Sequence, residues 1–346
     1  MPIQWTEARG AGAIERQWGE LRRNEESQGR ALTLNLICRC SDAAEAGRMA
    51  NSLWTLGLRY PARVFLIAPR PAGAAMRVAT HPAGSEMAEL AMAPERAASL
   101  VAPLLLGDLP VFLLWRGADP RGNGEFQQWA EMAQRVLLDS DRAGLGPEAL
   151  AGLMRKLPVT CRLTDLSWAR LTPWRQLLSQ AMECRRGVAS LGALASVSIA
   201  ADGGGASLPA LLFAGWLAEQ LQWSPLRRMG ADELECGQGT GTPLRLRFEA
   251  AGKRDWQLRR VRVNAAGEAD RMQVEIRHEA RRIAMQVQED HTEIGRWAGA
   301  ALSDSAWRSD AALLAEELSI RGGDWLFERA VERGAEVAAA LGANPA

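Results

Sequence analysis

The first half of the chain alternates short apolar runs with amphipathic segments. Apolar runs of strand length predict buried strands at residues 32–38, 63–68, 111–115, 135–138 and 159–163. Weaker alternating patterns predict strands at 75–80 and 87–92, and helical spacing predicts helices at 42–56, 94–105, 124–134 and 147–156. Continuously apolar strands between helices are typical of an open, mostly parallel sheet covered by helices on both faces. The pattern therefore predicts an N-terminal α/β, Rossmann-like domain over residues 1–164.

The second half has a different order of elements. A helix capped by Thr172, with Pro173 at its first position, is followed by a strand at 195–199 and a helix at 207–220. An antiparallel meander then follows, and two helices close the chain; the meander strands are predicted at 244–249, 256–263, 272–278 and 282–288, and the helices at 311–319 and 324–341. This order predicts a C-terminal α+β domain over residues 165–346.

Composition and charge restrict the partners. The 346 residues are 47% hydrophobic, and 41 basic side chains balance 41 acidic ones. Because the chain has no net charge, neither nucleic acid nor an anionic membrane is expected as a partner. The N-terminus lacks a signal-peptide pattern, and the longest apolar stretch, 101–115, is too short and too interrupted to span a bilayer, so a cytoplasmic protein is expected. Only Lys156 and Lys253 are lysines; coding bias explains this, and an arginine-based binding surface is compatible with it.

Motifs for catalysis or cofactor binding are weak. Gly203-Gly204-Gly205 lies between a predicted strand and a helix but lacks the Walker lysine and the dinucleotide glycine spacing, so it is interpreted as a turn. His291-x-Glu293 is interpreted as a solvated helix start rather than a metal site. The five cysteines, one of which is Cys236, are scattered and odd in number, which favours a reduced compartment. We expect no cofactor, no metal and no enzymatic activity, although carboxylate chemistry stays open.

Polar and aromatic residues follow three of the predicted strands. They are Trp115 and Arg116, then Asp139 and Ser140, then Asp165 with Trp168. Ligands of open parallel sheets bind outside the carboxyl ends of strands, so these residues are candidates for a binding crevice or a partner-docking surface. The alternative is that the aspartates cap following elements and the tryptophans fill a domain interface.

The segment 165–176 contains two tryptophans and two arginines, the residue types most enriched at interface hot spots. Trp174 shares a helical face with Leu177 and Leu178, which predicts a core position. At least one of Arg170 and Arg175 is expected to reach a carboxylate, either in the crevice with Asp139 and Asp165 or on a partner.

Three segments carry a resemblance to a known family. Residues 165–176, Asp108 to Trp115 ("D-L-P-v-x-x-W") and Ala210 to Ala218 ("L-L-x-G-W-L") resemble the signatures of the OpcA family. The resemblance implies a non-catalytic assembly factor and allosteric activator that binds glucose-6-phosphate dehydrogenase in the oxidative pentose phosphate pathway. Cyanobacterial relatives are linked to thioredoxin through cysteines. Here Cys236 is the only cysteine of the last 160 residues, so a disulfide switch within that part is impossible.

Two other function classes stay open at this point. One is a sugar-phosphate-binding protein or enzyme that uses the crevice at the strand carboxyl ends. The other is a scaffold for a different client protein.

Overall fold

The computed structural model describes residues 2–24, 31–56, 61–70, 73–183, 193–239, 241–252, 258–266, 271–279, 282–289, 292–298, 310–319 and 322–342. These residues form two compact units. The first comprises Met1–Asp139, Leu153–Leu166 and Ser309–Gly323, and the second comprises Ser140–Gly152, Ser167–Arg308 and Asp324–Ala346. The chain thus passes between the units several times, and the single boundary at residue 164 stays a prediction.

The first unit contains an eight-stranded sheet in the order β1-β4-β5-β3-β2-β6-β7-β8. Its strands are β1 Thr6–Ala8, β2 Leu34–Arg39, β3 Ala62–Pro69, β4 Ala75–Thr80, β5 Glu86–Met92, β6 Val111–Trp115, β7 Arg135–Leu138 and β8 Arg162–Asp165. The six strands from β5 to β8 in this order are parallel, and their order is that of the dinucleotide-binding fold. Every residue of β2 is buried, which explains its continuous apolar pattern.

Helices separate these strands along the chain. They are α1 Ala11–Asn24, α2 Ala43–Leu56, α3 Pro94–Val101 with a 3-10 turn at Ala102–Leu104, α4 Gly124–Met132, α5 Pro147–Lys156 and α6 Leu166–Ala169. In α1, Ile14 and Trp18 are fully buried at a spacing of four residues, so one face of that helix packs into the core.

The second unit also has an eight-stranded sheet, in the order β10-β11-β12-β9-β13-β14-β15-β16. Its strands are β9 Leu194–Ala201, β10 Leu226–Gly230, β11 Glu233–Cys236, β12 Leu244–Ala250, β13 Leu258–Ala266, β14 Arg271–Glu279, β15 Arg282–Glu289 and β16 Thr292–Ala298. All pairings are antiparallel except that of β9 with β12. Buried apolar residues alternate with more exposed polar ones, as in a sheet with one covered face.

In the described part of the chain after α6, four further helices occur: α7 Thr172–Glu183, α8 Leu208–Gln220, α9 Asp310–Ser319 and α10 Trp325–Leu341. Helix α8 is apolar on all sides, and Leu208 to Ala218 are all buried, as expected for a helix enclosed by protein. Its Gly215 lies against the backbone of α10, where a Cβ would come within 2.2 Å of the Ala330 carbonyl oxygen.

The predicted fold class is confirmed: a mostly parallel sheet with helices, followed by a mostly antiparallel sheet with helices. Several element predictions were wrong in detail. The strand expected at 159–163 begins only at Arg162, because Val159 lies in an exposed turn. Glu293 lies in strand β16, not at a helix start. Strands β1, β10, β11 and β16 and helix α1 were not predicted.

The predictions that involve Trp256, at the start of a predicted strand, and His291 fall outside the described residues, and Cys184 lies outside them too. Within the described part of the chain, none of the helices combines the length and the apolar character needed to cross a membrane.

Candidate functional site

The strand-end residues of the first unit lie along one edge of its sheet. Strands β6, β7 and β8 are parallel neighbours, with Leu113 opposite Val136 and Val136 opposite Leu163. Their carboxyl ends therefore share an edge, as the sequence predicted. Four candidate residues at this edge belong to the first unit, and all are buried: Trp115, Arg116, Asp139 and Asp165.

Arg116 connects two of these strand ends to helix α2. Its guanidinium lies 3.3 Å from a carboxylate oxygen of Glu45 and 3.6 Å from one of Asp139. The three side chains are nearly inaccessible to solvent. Buried charges need such pairing, and removing one partner typically costs about 3–5 kcal/mol. The edge is therefore filled by an internal ion network.

Glu45 also closes the amino end of α2. Its second carboxylate oxygen accepts hydrogen bonds from the amide and the hydroxyl of Ser41, each at 2.7 Å. The Asp42 carboxylate in turn accepts from the Glu45 amide at 2.7 Å. This is a reciprocal capping arrangement. The bond from the Glu45 amide is the main reason that the pKa of Asp42 lies below its ordinary value.

The position of this cap is informative because β2 and β6 flank the point where the strand order reverses. In dinucleotide-binding sheets, the turn after the first strand holds the pyrophosphate at the amino end of the next helix. The corresponding turn here runs from Cys40 to Ala43 and contains no glycine. The Asp42 carboxylate accepts from the Glu45 amide in the first turn of α2, and the Glu45 carboxylate accepts from the Ser41 amide in the turn before it, so two amides at this end of the helix already have acceptors.

Trp115 is fixed by contacts within the first unit. Its indole nitrogen donates to the Ala118 carbonyl at 2.8 Å, and its ring meets Phe126 edge-on. The Arg39 guanidinium lies 5.7 Å from the ring centre and also pairs with Glu125. Trp115 is thus a packed core residue at the sheet edge.

The remaining candidates belong to the second unit, where Trp168 is the centre of a compact cluster. Its indole nitrogen donates to Asp324 at 2.8 Å, and the guanidinium carbon of Arg175 lies 3.4 Å from its ring centre. Arg175 also donates to the Thr172 hydroxyl at 3.0 Å. Because Asp324 caps α10 through the Phe327 amide, the cluster joins α7 to the start of α10.

Three other residues of the segment and its surroundings have clear positions. The Ser140 hydroxyl donates to that of Ser167 at 3.3 Å. Arg170 is half-buried. Trp174 is 2% exposed, which confirms its predicted core position, and α7 begins at Thr172, one residue earlier than expected.

The sequence analysis missed Glu45 and Asp324 as parts of these clusters. The sequence does contain a signal for Glu45, because Asp42 and Glu45 have the spacing of a capping box. Nothing local could indicate that Glu45 pairs with Arg116, 71 residues away, or that Asp324 bonds to Trp168, 156 residues away.

Two buried cysteines lie beside the ion network, on β2 and directly after it. Burial raises the pKa of Cys40 to about 12, and the Glu45 carboxylate adds to this shift. Burial also raises the pKa of Cys38 well above its usual range. Both thiols therefore stay protonated at neutral pH and are poor nucleophiles.

An open space of the first unit lies at the opposite ends of the strands. A cavity of about 870 Å³ is lined by residues at or near the starts of β2, β6, β7 and β8, including Arg135 and Arg162. Arg135 donates to the Glu317 carbonyl at 2.9 Å. Among the described residues, no group of three or more histidine, cysteine or acidic side chains is placed to hold a metal ion.

Comparison with known proteins gives two consecutive family matches. Residues 56–155 match the family model for the N-terminal domain of a glucose-6-phosphate dehydrogenase subunit. Residues 161–331 match the corresponding model for the C-terminal domain of that subunit.

Individual relatives agree with these matches. The chain is 34% identical over 136 residues to a Nostoc punctiforme protein named "Putative OxPP cycle protein OpcA", covering 39% of this chain and 29% of that protein. A protein of the same name from Synechocystis sp. is 28% identical over 132 residues, covering 38% and 28%. The aligned part thus spans less than a third of either relative.

Solved structures are similar to this chain at low sequence identity. The 3-ketoreductase KijD10 from Actinomadura kijaniata, solved with TDP-benzene and NADP, is 11% identical with a TM-score of 0.49, covering 88% of this chain and 96% of that one.

Proposed function

Because the chain belongs to the OpcA family, we propose that it binds glucose-6-phosphate dehydrogenase in the cytoplasm as a non-catalytic assembly factor and allosteric activator. The description of both family models, whose matches together extend over most of the chain, supports this partner. The chemistry at the point where the strand order of the first unit reverses supports the non-catalytic role.

The observation that carries the non-catalytic role is the occupied amino end of α2. The Asp42 carboxylate already accepts from the Glu45 amide of α2, and the Glu45 carboxylate accepts from the Ser41 amide of the turn before it. A phosphate placed there would also meet two carboxylates, and at close range like charges repel by several kcal/mol at the effective dielectric of a protein surface. The Arg116 guanidinium does not offset this repulsion, because it already pairs with Glu45 and Asp139.

An activator must bind the active state of its partner more tightly than the inactive state. Typical coupling of about 1–3 kcal/mol changes an affinity or a population ratio by about 5- to 150-fold. We therefore expect a lower KM for glucose 6-phosphate or a higher kcat when the chain is bound to the dehydrogenase.

The test combines co-elution with kinetics. The purified chain and the dehydrogenase from the same organism are mixed at micromolar concentration and separated by size-exclusion chromatography, and NADP reduction is measured with and without the chain. Co-elution with altered kinetics supports the proposal. Co-elution with unchanged kinetics leaves assembly and removes activation, and separate elution refutes the partner.

A control addresses catalysis by the chain itself. The chain alone, free of contaminating dehydrogenase, should not reduce NADP with glucose 6-phosphate. Turnover that persists through repeated purification would refute the non-catalytic role.

A further inference from the structure

The sheet of the second unit has one face that the described helices leave uncovered. Helix α8 packs on β9, and α7 packs on β14 and β15, on the side where the apolar side chains of the strands are buried. The alternate positions point the other way and are mostly charged or amides. Those with arginine or glutamate, here called the arginine face, are Arg227, Glu233, Glu235, Arg245, Arg247, Glu249, Arg260, Arg262, Glu275, Arg277, Glu279, Arg282, Glu293 and Arg296.

Ion pairs link neighbouring strands across this face. Arg262 lies 3.2 Å from Glu275. Arg260 lies 2.6 Å from Glu249 and reaches it across β9, which carries only small side chains between them. Glu293 accepts from Gln286 at 2.7 Å. Such pairs fix the arginine side chains and reduce the entropy that a contact would cost.

The arginines are the outer members of these pairs. Their side chains are 35–69% exposed, whereas those of their glutamate partners are 15–45% exposed, and the arginine is the more exposed member in each of these pairs. Arg245 is exposed as well. The surface that a partner meets is therefore rich in guanidinium groups, although glutamates lie beneath them.

The area of the face suits a stable protein interface. Eight strands spaced by about 4.8 Å give a width of about 34 Å, and strands of about six residues give a length of about 20 Å. The resulting area of about 700 Å² is close to the roughly 800 Å² that each partner contributes to a standard interface.

We propose that the arginine face is the docking surface of this chain and that it takes a carboxylate-rich surface of a partner protein. The inference rests on the proposed function for the identity of that partner, the dehydrogenase. Guanidinium groups bind carboxylates through two parallel hydrogen bonds, and arginine is enriched at interfaces. A second copy of the chain fits less well, because two guanidinium-rich surfaces repel. A nucleic acid fits less well because the chain has 41 basic and 41 acidic side chains, so no net charge attracts a polyanion.

The test uses charge reversal on the full chain. The variant Arg245→Glu/Arg277→Glu/Arg296→Glu changes three exposed arginines on three strands. The matched control, Arg9→Glu/Arg16→Glu/Arg96→Glu, makes the same change in net charge at exposed positions of the first unit. Binding to the dehydrogenase is measured by titration calorimetry at low and high salt, and folding by thermal melting.

We expect the face variant to bind at least about 100-fold more weakly than the wild-type chain, and the control variant to bind within about threefold of it. The wild-type affinity should fall as salt rises, and the difference between the variants should shrink. A face variant that melts with the control yet binds like the wild type would refute the docking surface. If it melts early, Arg245→Gln alone, which removes one charge without reversal, should still weaken binding by about tenfold, and unchanged affinity would refute the proposal.

Further measurements distinguish the proposal from its alternatives. If the wild-type chain does not bind the dehydrogenase at all, the proposed function fails before the arginine face is tested. Light scattering of the chain alone that shows a dimer dissolved by the face variant would assign the face to self-association and overturn the proposal. Binding of a short DNA duplex at physiological salt, lost in the face variant, would do the same.

Discussion

The close contact between α8 and α10 makes a sharp prediction for Gly215→Ala. At this position a Cβ would lie 2.2 Å from the Ala330 carbonyl oxygen and 2.5 Å from the Gly334 amide nitrogen. Both atoms belong to the backbone, so no side chain can rotate away. The two helices must separate by about 1 Å to restore ordinary contact. The buried residues around them are close-packed and resist such a shift.

Two opposing effects, over-packing and helix propensity, determine the expected change in the free energy of unfolding. Over-packing of a core costs about 1–3 kcal/mol, and a backbone clash of this size belongs at or above the upper end. Replacing glycine by alanine in a helix stabilises the helix by about 1 kcal/mol. We expect a net loss of about 2–4 kcal/mol of the free energy of unfolding. For a unit of this size, that corresponds to a fall in Tm of about 4–16 °C.

The matched control is Gly19→Ala, which makes the same chemical change inside α1. No atom lies within 4 Å of a Cβ built there, so only the helix-propensity gain of about 1 kcal/mol remains. Thermal and urea unfolding, followed by tryptophan fluorescence, should therefore show opposite signs for the two variants. A Gly215→Ala protein as stable as the wild type would refute the helix contact on which the reasoning depends.

Four further predictions concern stability, cysteine reactivity and the effect of reductant. Trp174→Ala should cost about 3–5 kcal/mol of unfolding free energy, measured by urea titration, because it empties a buried site. Arg175→Ala should cost about 1–2 kcal/mol through loss of its contact with Trp168, and normal stability combined with weakened dehydrogenase binding would instead make Arg175 a docking residue. Cys184 lies outside the described residues, so the alkylation test uses a Cys184→Ser variant. The native variant should resist alkylation at neutral pH, because the raised pKa of Cys40 keeps that thiol protonated. A reductant should not change the activation of the dehydrogenase by this chain, and a reductant-dependent change would refute that expectation.

The buried strands of the first unit were predictable because burial on both faces leaves a continuous apolar run. β6 and β7 were predicted with their observed bounds. The missed strands are short and polar: β10 reads Leu-Arg-Arg-Met-Gly and is exposed along most of its length. Its pairing with β11 depends on the rest of the sheet, because short edge strands carry little periodic signal of their own.

Helix α1 was missed for a related reason. Its sequence is rich in charged residues and glycine, and only a few positions, such as Ile14 and Trp18, face the core. The strand-end cluster was partly predictable, since neighbouring parallel strands bring their carboxyl ends together. Its partners from distant parts of the chain were not, because pairing over such separations is decided by tertiary packing.

The segments that carry the family resemblance make packing contacts and hydrogen bonds within their own units. Gly215 permits the close crossing of α8 with α10. In the segment before β6, the carbonyl groups of Leu109 and Pro110 accept hydrogen bonds from the side chain and the amide of Asn35. Trp168 with Arg175 joins α7 to α10.

These contacts explain why the signatures identify the fold without identifying the docking surface. Residues such as Gly215 and Trp168 are buried and occupied by contacts within their own unit, so they offer little area to a partner. An interface needs accessible side chains that are held in place and have unused hydrogen-bonding capacity. In the second unit, the outward guanidinium groups of the arginine face meet this requirement, although no part of that face lies in a signature segment. Substitutions in the signatures should therefore act on stability, and substitutions on the arginine face should act on binding.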